Sequence, residues 1–316
     1  MQKIPAFLFD FVRWCTRLRR GASHPAFQLP LPVLLPGTRP AQAIQAAPIP
    51  KILWTYWNQA KPDPLTEQCM GSWRKHCPGH RIVLVHPGNI AQYVPEQDLP
   101  PEFLSLHPTK QSDWMRLYLV ARHGGYWLDA STLLTQSLEW MEQCAAQNHC
   151  EMVGFYLEGF TRDRRYPVIE SWAFCAPPMS RFMNDWQQEF HQALIFEGTQ
   201  AYLQRLQAQP ESVAILQGIA DPAYLLIHVT AQQVLRRNAA ASLALYKAED
   251  TAFYYHAALR WKWYLLYPQL CLAPAPASRP PLVKLRGGER RHLGEMLGQH
   301  GGARLGSIWN EACQEA

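Results

Sequence analysis

Apolar positions along this chain fall into short unbroken runs separated by stripes of helical period. "KILWTYWN" opens directly after Pro50, and its apolar run predicts a buried strand. A stripe from Leu65 to His76, stopped by Pro78 and Gly79, predicts a helix, and "RIVLVH" predicts the next strand. Strand, helix and strand within about 40 residues form a βαβ unit, which predicts a parallel sheet with right-handed crossovers.

"TKQSDWMRLYLVARHGG" carries the clearest helical stripe: Trp114, Leu117, Tyr118 and Ala121 recur at i, i+3, i+4 and i+7. Thr109 is the expected N-cap, and Gly124 and Gly125 the expected stop. Asp113 and Arg116, three apart, flank the stripe on one side and can act on one object. Directly afterwards Tyr126, Trp127 and Leu128 read as a buried strand that ends in Asp129. An ionised carboxylate is costly to bury alone, so Asp129 needs a cation, a basic side chain or backbone donors beside it. Helix and strand together aim Asp113, Arg116 and Asp129 at one sheet end, where open α/β sheets bind ligands. An intrahelical Asp–Arg pair with a capped aspartate would fit the same pattern.

The pattern is different before residue 51. Seven prolines between Pro25 and Pro50 leave little periodicity, so residues 25–50 read as an extended connector. In residues 1–24, Phe7, Leu8, Phe11, Trp14, Cys15 and Leu18 recur at spacings of three and four, which predicts an amphipathic helix. Lys3, Arg13, Arg17, Arg19 and Arg20 stand against Asp10 alone, so this segment holds +4 of the chain's +5. Such a helix suits an anionic membrane surface, and an ordinary helix docked on the body fits equally. A secretory signal fits poorly, because Asp10 and Arg13 interrupt the apolar region. Positive charge confined to one end, without a binding motif, argues against nucleic acid. The folded body is expected over residues 51–316.

With 316 residues, 48% of them hydrophobic and 17% charged, the chain can bury one large core or two smaller ones. No repeat period and no apolar run of membrane-spanning length occurs. The eight cysteines include no C-x-x-C pair and several lie in apolar segments, which points to reduced, cytosolic usage.

"SDWMRLYLVARHGGYWLDAST" resembles the core motif of the capsular polysaccharide synthesis proteins, sugar transferases related to glycosyltransferase family 32. In that motif S-D-x-x-R-x-x-x-L-x-x-x-G-G precedes an aromatic-rich strand ending in D-x-D or D-A-T/S. Weaker resemblance runs from "IPKILWTYWNQ" through "IESWAFCA" to "PPLVKLRGGERR". The resemblance implies an α/β chain of GT-A type, a Rossmann-like nucleotide-sugar-binding sheet with an inserted helical acceptor region. It implies a hexosyltransferase-like, retaining transfer of sugar from a nucleotide-sugar donor to a glycan or lipid-linked acceptor at the cytoplasmic membrane face. Asp113 and Arg116 take the places that contact the donor sugar, by carboxylate acceptors and a guanidinium fork. Asp129 takes the first acidic place of the D-x-D, which implies a Mn2+ or Mg2+ ion against the diphosphate.

The chain departs from the family 32 form, D-x-D, at Ser131, which fills the second acidic place and weakens the implied metal. A phosphatase motif D-x-D-x-T fails on the same stretch, because Ser131 and Leu133 fill its second and third positions. Other candidates for donor contact are Trp54 and Trp57, as stacking partners of a nucleobase or as core, and Gly125 of the glycine pair. Glu170 stands in an apolar run and either bonds locally or faces substrate. His228 reads as a satisfied core histidine. Lys284, in "KLRGGERR", belongs to a basic loop over the diphosphate or to a solvated turn. Ser307 and Trp309 form an S-x-W that contacts the diphosphate in some relatives. The alternative function is a non-catalytic glycan-binding or assembly protein, in which Ser131 records lost metal chemistry.

Overall fold

The computed structural model describes residues 26–35, 48–238 and 241–314; the amphipathic helix expected in residues 1–24 lies outside them. The strands are β1 (Val33–Leu35), β2 (Ile52–Tyr56), β3 (Arg81–Val85), β4 (Gly125–Leu128), β5 (Thr132–Leu134), β6 (Met152–Tyr156), β7 (Ile169–Ala176), β8 (Leu243–Lys247) and β9 (Leu282–Lys284). The α-helices are α1 (Pro64–His76), α2 (Pro108–His123), α3 (Glu139–Asn148), α4 (Arg181–His191), α5 (Thr199–Gln207), α6 (Ser212–Leu216), α7 (Leu226–Arg237), α8 (Tyr254–Ala258), α9 (Gly287–Gln299) and α10 (Ile308–Cys313).

The expected α/β architecture is present. Seven strands form one mixed sheet in the order β1-β8-β6-β7-β4-β2-β3. Strand β2 runs parallel to both β3 and β4, as the βαβ pattern predicts, and β6 runs parallel to β8. Strand β7 is antiparallel to β4 and β6, and so brings its N-terminal end to the edge where β2 and β4 terminate. A second, two-stranded sheet joins β5 to β9, with Thr132 opposite Lys284.

One part of the proline-rich stretch is not a connector. Val33–Leu35, between Pro32 and Pro36, forms β1 and pairs antiparallel with β8. Proline cannot donate to a ladder, so a short strand bounded by prolines is confined to an edge, which is where β1 lies. The sheet therefore begins before residue 51.

Strand pleating sorts the side chains of β4 between two cores. Tyr126 and Leu128 join Met70 and Trp73 of α1 and Met141 of α3. Trp127 points to the opposite core, among Trp114 of α2, Trp186 of α4 and Val229 of α7. Helix α2 is buried from Asp113 to Ala121, well beyond the single stripe that its sequence shows, because it packs on the sheet and α4 together. A third core gathers Leu133, Val283, Leu293 of α9 and Trp309 of α10.

Helix α2 starts two residues earlier than an N-cap at Thr109 implies. Pro108 takes the first helical position, where a missing N–H costs nothing, and His107 caps it by accepting from the Thr109 backbone N–H at 3.3 Å. The stop is as expected. Gly124 (φ 66°) and Gly125 (φ 97°) both occupy the left-handed half of backbone space, and a Cβ on Gly125 would lie 2.7 Å from the Ile52 carbonyl oxygen. Gly125 thus lets β4 enter the sheet beside β2. It does not line the cleft described next.

Candidate active site

A cleft of about 980 Å³ opens at the ends of β2 and β4 and the start of β7, closed on its other sides by α2, α7 and the β9–α9 segment. Asp113, Arg116, Asp129, Ser131, Glu170 and Lys284 all line it. This is the sheet end expected for a ligand in an open α/β fold.

Asp129 leaves β4 two residues after Trp127, on the same side of the pleat, and accepts the Trp127 indole N–H on Oδ1 at 3.1 Å. Arg116 donates to that same oxygen at 3.1 Å, while Lys284 donates to Oδ2 at 2.8 Å. The carboxylate that ends the strand is therefore held by two basic side chains. Burial alone would raise its pKa; the charges of Lys284 and Arg116, with hydrogen bonds from Lys284 and Trp127, outweigh it and hold the carboxyl below its ordinary value. Asp129 stays an anion at neutral pH.

Arg116 is the hub on the helix side. It lies 3.3 Å from Asp113 Oδ1 and donates to Ser171 Oγ at 2.5 Å and Ser112 Oγ at 3.1 Å. Burial pushes the Asp113 carboxyl above its ordinary value, against the opposing charges of Arg116, Lys110 and His228. Across the cleft Glu170 Oε2 lies 3.3 Å from His228 Nε2. His228 is buried, as its apolar helix predicts, yet it also borders the cleft, which that pattern does not reveal.

Ser131 and Lys284 form one unit. Ser131 Oγ donates to the Leu285 carbonyl at 3.0 Å and accepts from Lys284 Nζ at 2.9 Å, and its own carbonyl accepts the Leu285 N–H at 3.1 Å. "KLRGGERR" is neither a loop nor a solvated turn: Lys284 ends β9, and Gly287 and Gly288 begin α9 behind an Arg286 N-cap. Arg286 and Arg290 extend the basic wall from Lys284. Buried Glu289 secures it by accepting the Arg286 backbone N–H at 2.8 Å and pairing with His256 at 3.0 Å.

The implied metal has a poor donor set here. Both carboxylate oxygens of Asp129 already face cations, and the Ser131 oxygen faces Lys284 as well. Among the described residues no three His, Cys, Asp or Glu side chains stand together as a cation cage. Asp129 and Ser131, as packed, do not fit a resident divalent ion.

Residues 40–194 match the family model described as capsular polysaccharide synthesis protein. The resemblance drawn from the motif is borne out over that span, which takes in Asp113, Arg116, Asp129, Ser131 and Glu170 and ends before Lys284. Two solved structures match in part. The glycosyltransferase GlyE from Streptococcus pneumoniae TIGR4 is 12% identical, with a TM-score of 0.41 over 85% of this chain and 61% of that one. The PaToxG glycosyltransferase is 11% identical, with a TM-score of 0.35 over 62% of this chain and 82% of that one. No curated protein matches in sequence.

Not every candidate residue reaches the cleft. Trp57 does, beneath Arg290, whose guanidinium lies 4.8 Å from its ring centroid. Trp54 does not: it is buried and donates to the Gly124 carbonyl at 2.9 Å. Ser307 caps α10, and Trp309 packs in the third core while donating to Gln68 Oε1 at 2.6 Å. Those two lie outside the cleft lining. Sequence reading missed Trp261, 40% exposed at the cleft beside Arg286, because its left-handed backbone (φ 58°) has no signature in a non-glycine residue.

Proposed function

We propose that this protein is a GT-A type glycosyltransferase that moves a sugar from a nucleotide-sugar donor to a glycan or lipid-linked acceptor in capsule or surface polysaccharide synthesis. The observation that carries the proposal is the convergence of Asp113, Arg116 and Asp129 with Lys284, 155 positions after Asp129, on one cleft at the sheet end. In this reading the diphosphate lies toward Lys284, Arg286 and Arg290, and the sugar toward Asp113 and Arg116. As the C1–O bond to the diphosphate breaks, its electron pair stays on the phosphate oxygen, the acceptor oxygen bonds C1, and the acceptor's proton is released. Fixed cations beside the leaving oxygen lower that barrier, because they need no reorganisation as charge develops. Retention of configuration is expected on the family resemblance.

A role at the inner membrane face is part of the same proposal and is supported by the charge pattern of residues 1–24. No described helix is long and apolar enough to cross a membrane. The decisive experiment is a screen of nucleotide sugars for release of the nucleoside diphosphate. Turnover of at least one donor, lost on Asp129→Asn, is the expected result; the absence of any nucleotide-sugar binding would return the protein to a non-catalytic glycan-binding role.

A further inference from the structure

Ser131 occupies the place of a metal-binding acid, and its surroundings explain what the hydroxyl does there. A carboxylate could accept from Lys284, but it could not donate to the Leu285 carbonyl as Ser131 Oγ does at 3.0 Å. Through its side chain and its backbone, Ser131 fastens the residue that follows Lys284. Pairing of Thr132 with Lys284 across β5 and β9 fixes the strand further. The ammonium is consequently held on a rigid element, with its side chain 10% exposed.

An ammonium carries three N–H donors. Two are engaged, by Asp129 Oδ2 at 2.8 Å and Ser131 Oγ at 2.9 Å. Among the described residues no protein acceptor takes the third, and Lys284 borders the cleft. A positive charge held between Asp129 and position 131 and facing the cleft supplies what a divalent ion would supply there, neutralisation of phosphate charge.

We infer that Lys284 stands in the place of that ion: its fixed ammonium neutralises the donor diphosphate, and the protein binds its nucleotide without a metal. The inference rests on the nucleotide-sugar reading above. Its chemistry is that of a point charge on a phosphate oxygen, a role lysine fills elsewhere. The substitution of serine for an acid at 131 is then a fitted change, not a decayed one.

The test is calorimetric binding of UDP, GDP and inorganic pyrophosphate to the full chain, once in EDTA and once in saturating Mn2+. The expected result is binding of at least one probe with the same affinity in both. Lys284→Met, neutral and similar in length, should weaken that binding in EDTA by about tenfold or more, and Lys284→Arg should recover part of it. Binding of wild type that fails in EDTA and returns with Mn2+ overturns the inference and leaves the nucleotide-sugar reading standing. Unchanged binding by Lys284→Met in EDTA also overturns it. If no probe binds in either condition, both readings fall. Should Lys284→Met not fold, the two wild-type arms decide the matter alone.

Discussion

The guanidinium of Arg116 lies over the indole of Trp127, 5.3 Å from the ring centroid, while that indole's N–H and the guanidinium share one oxygen of Asp129. A strand residue thus positions both a helix cation and the acid two places beyond itself. Lysine could keep the charge at 116 but neither the planar stack nor the fork to Asp113, Ser171 and Asp129. Arg116→Lys should therefore raise the Kd for a nucleotide sugar about tenfold, roughly the worth of one charge-assisted hydrogen bond, and affect the free nucleoside diphosphate less. Calorimetry with both ligands checks this. Equal losses would move Arg116 onto the phosphates.

Asp129→Asn keeps the shape and removes the charge between two cations. We expect turnover to fall by at least about 100-fold, as for loss of an electrostatic group at a reacting centre. The freed cations should also lower the melting temperature by a few degrees, ~1 kcal/mol of stability. Near-native turnover in the folded variant would remove Asp129 from the chemistry.

Gly125→Ala probes the fold independently of the site. The added methyl would meet the Ile52 carbonyl at 2.7 Å in a backbone conformation (φ 97°) that disfavours any side chain. A cost of about 2–4 kcal/mol is expected, from strain and displacement of β2 together. Denaturant midpoints measure it; a loss under about 1 kcal/mol would mean that β2 and β4 can separate freely.

Acid should loosen the basic wall. Burial would raise the Glu289 pKa, but hydrogen bonds from His256 and Arg286 and the His256 charge outweigh it and bring it down to about 2. The unfolded chain binds this proton at a higher pH than the native one, so the contribution is complete above about pH 5 and is lost as pH falls towards about 2. Its full size is ~3 kcal/mol. Asp113, whose pKa is raised by burial, works in the opposite sense and favours the fold as it protonates. Stability measured by urea unfolding from pH 6 to pH 3 should fall less steeply in Glu289→Gln than in wild type. Parallel curves would refute the assignment.

For the basic N-terminal segment, deletion of residues 1–24 should abolish salt-sensitive sedimentation with anionic vesicles and leave the melting temperature unchanged. Equal pelleting of both forms would remove the sequence support for a membrane-face enzyme.

Local pattern reached much of this molecule. The βαβ start, helix α2 and the delivery of Asp129 were legible because each rests on a strong period and nearby stop signals. Strand β1 escaped, since three residues between prolines carry no period. Lys284 as the second partner of Asp129 was beyond reach for another reason: β9 is three residues long and joins β5 across about 150 positions, a pairing set by the third core and not by neighbours in sequence. Short motifs misled in proportion to their brevity. Ser307 and Trp309 resemble a diphosphate contact, but a serine before a helix is also an N-cap, and that is the role it takes.

The pairing of β5 with β9 also imposes an order in time. Asp129 is synthesised 155 residues before Lys284, so a nascent chain holds this acid with only one of its two counter-charges. The small sheet cannot close until residue 284 has been made. A ribosome-bound or truncated product that ends before Lys284 therefore carries an electrostatically unfinished cleft, and the basic wall proposed to receive the donor diphosphate is completed only with β9.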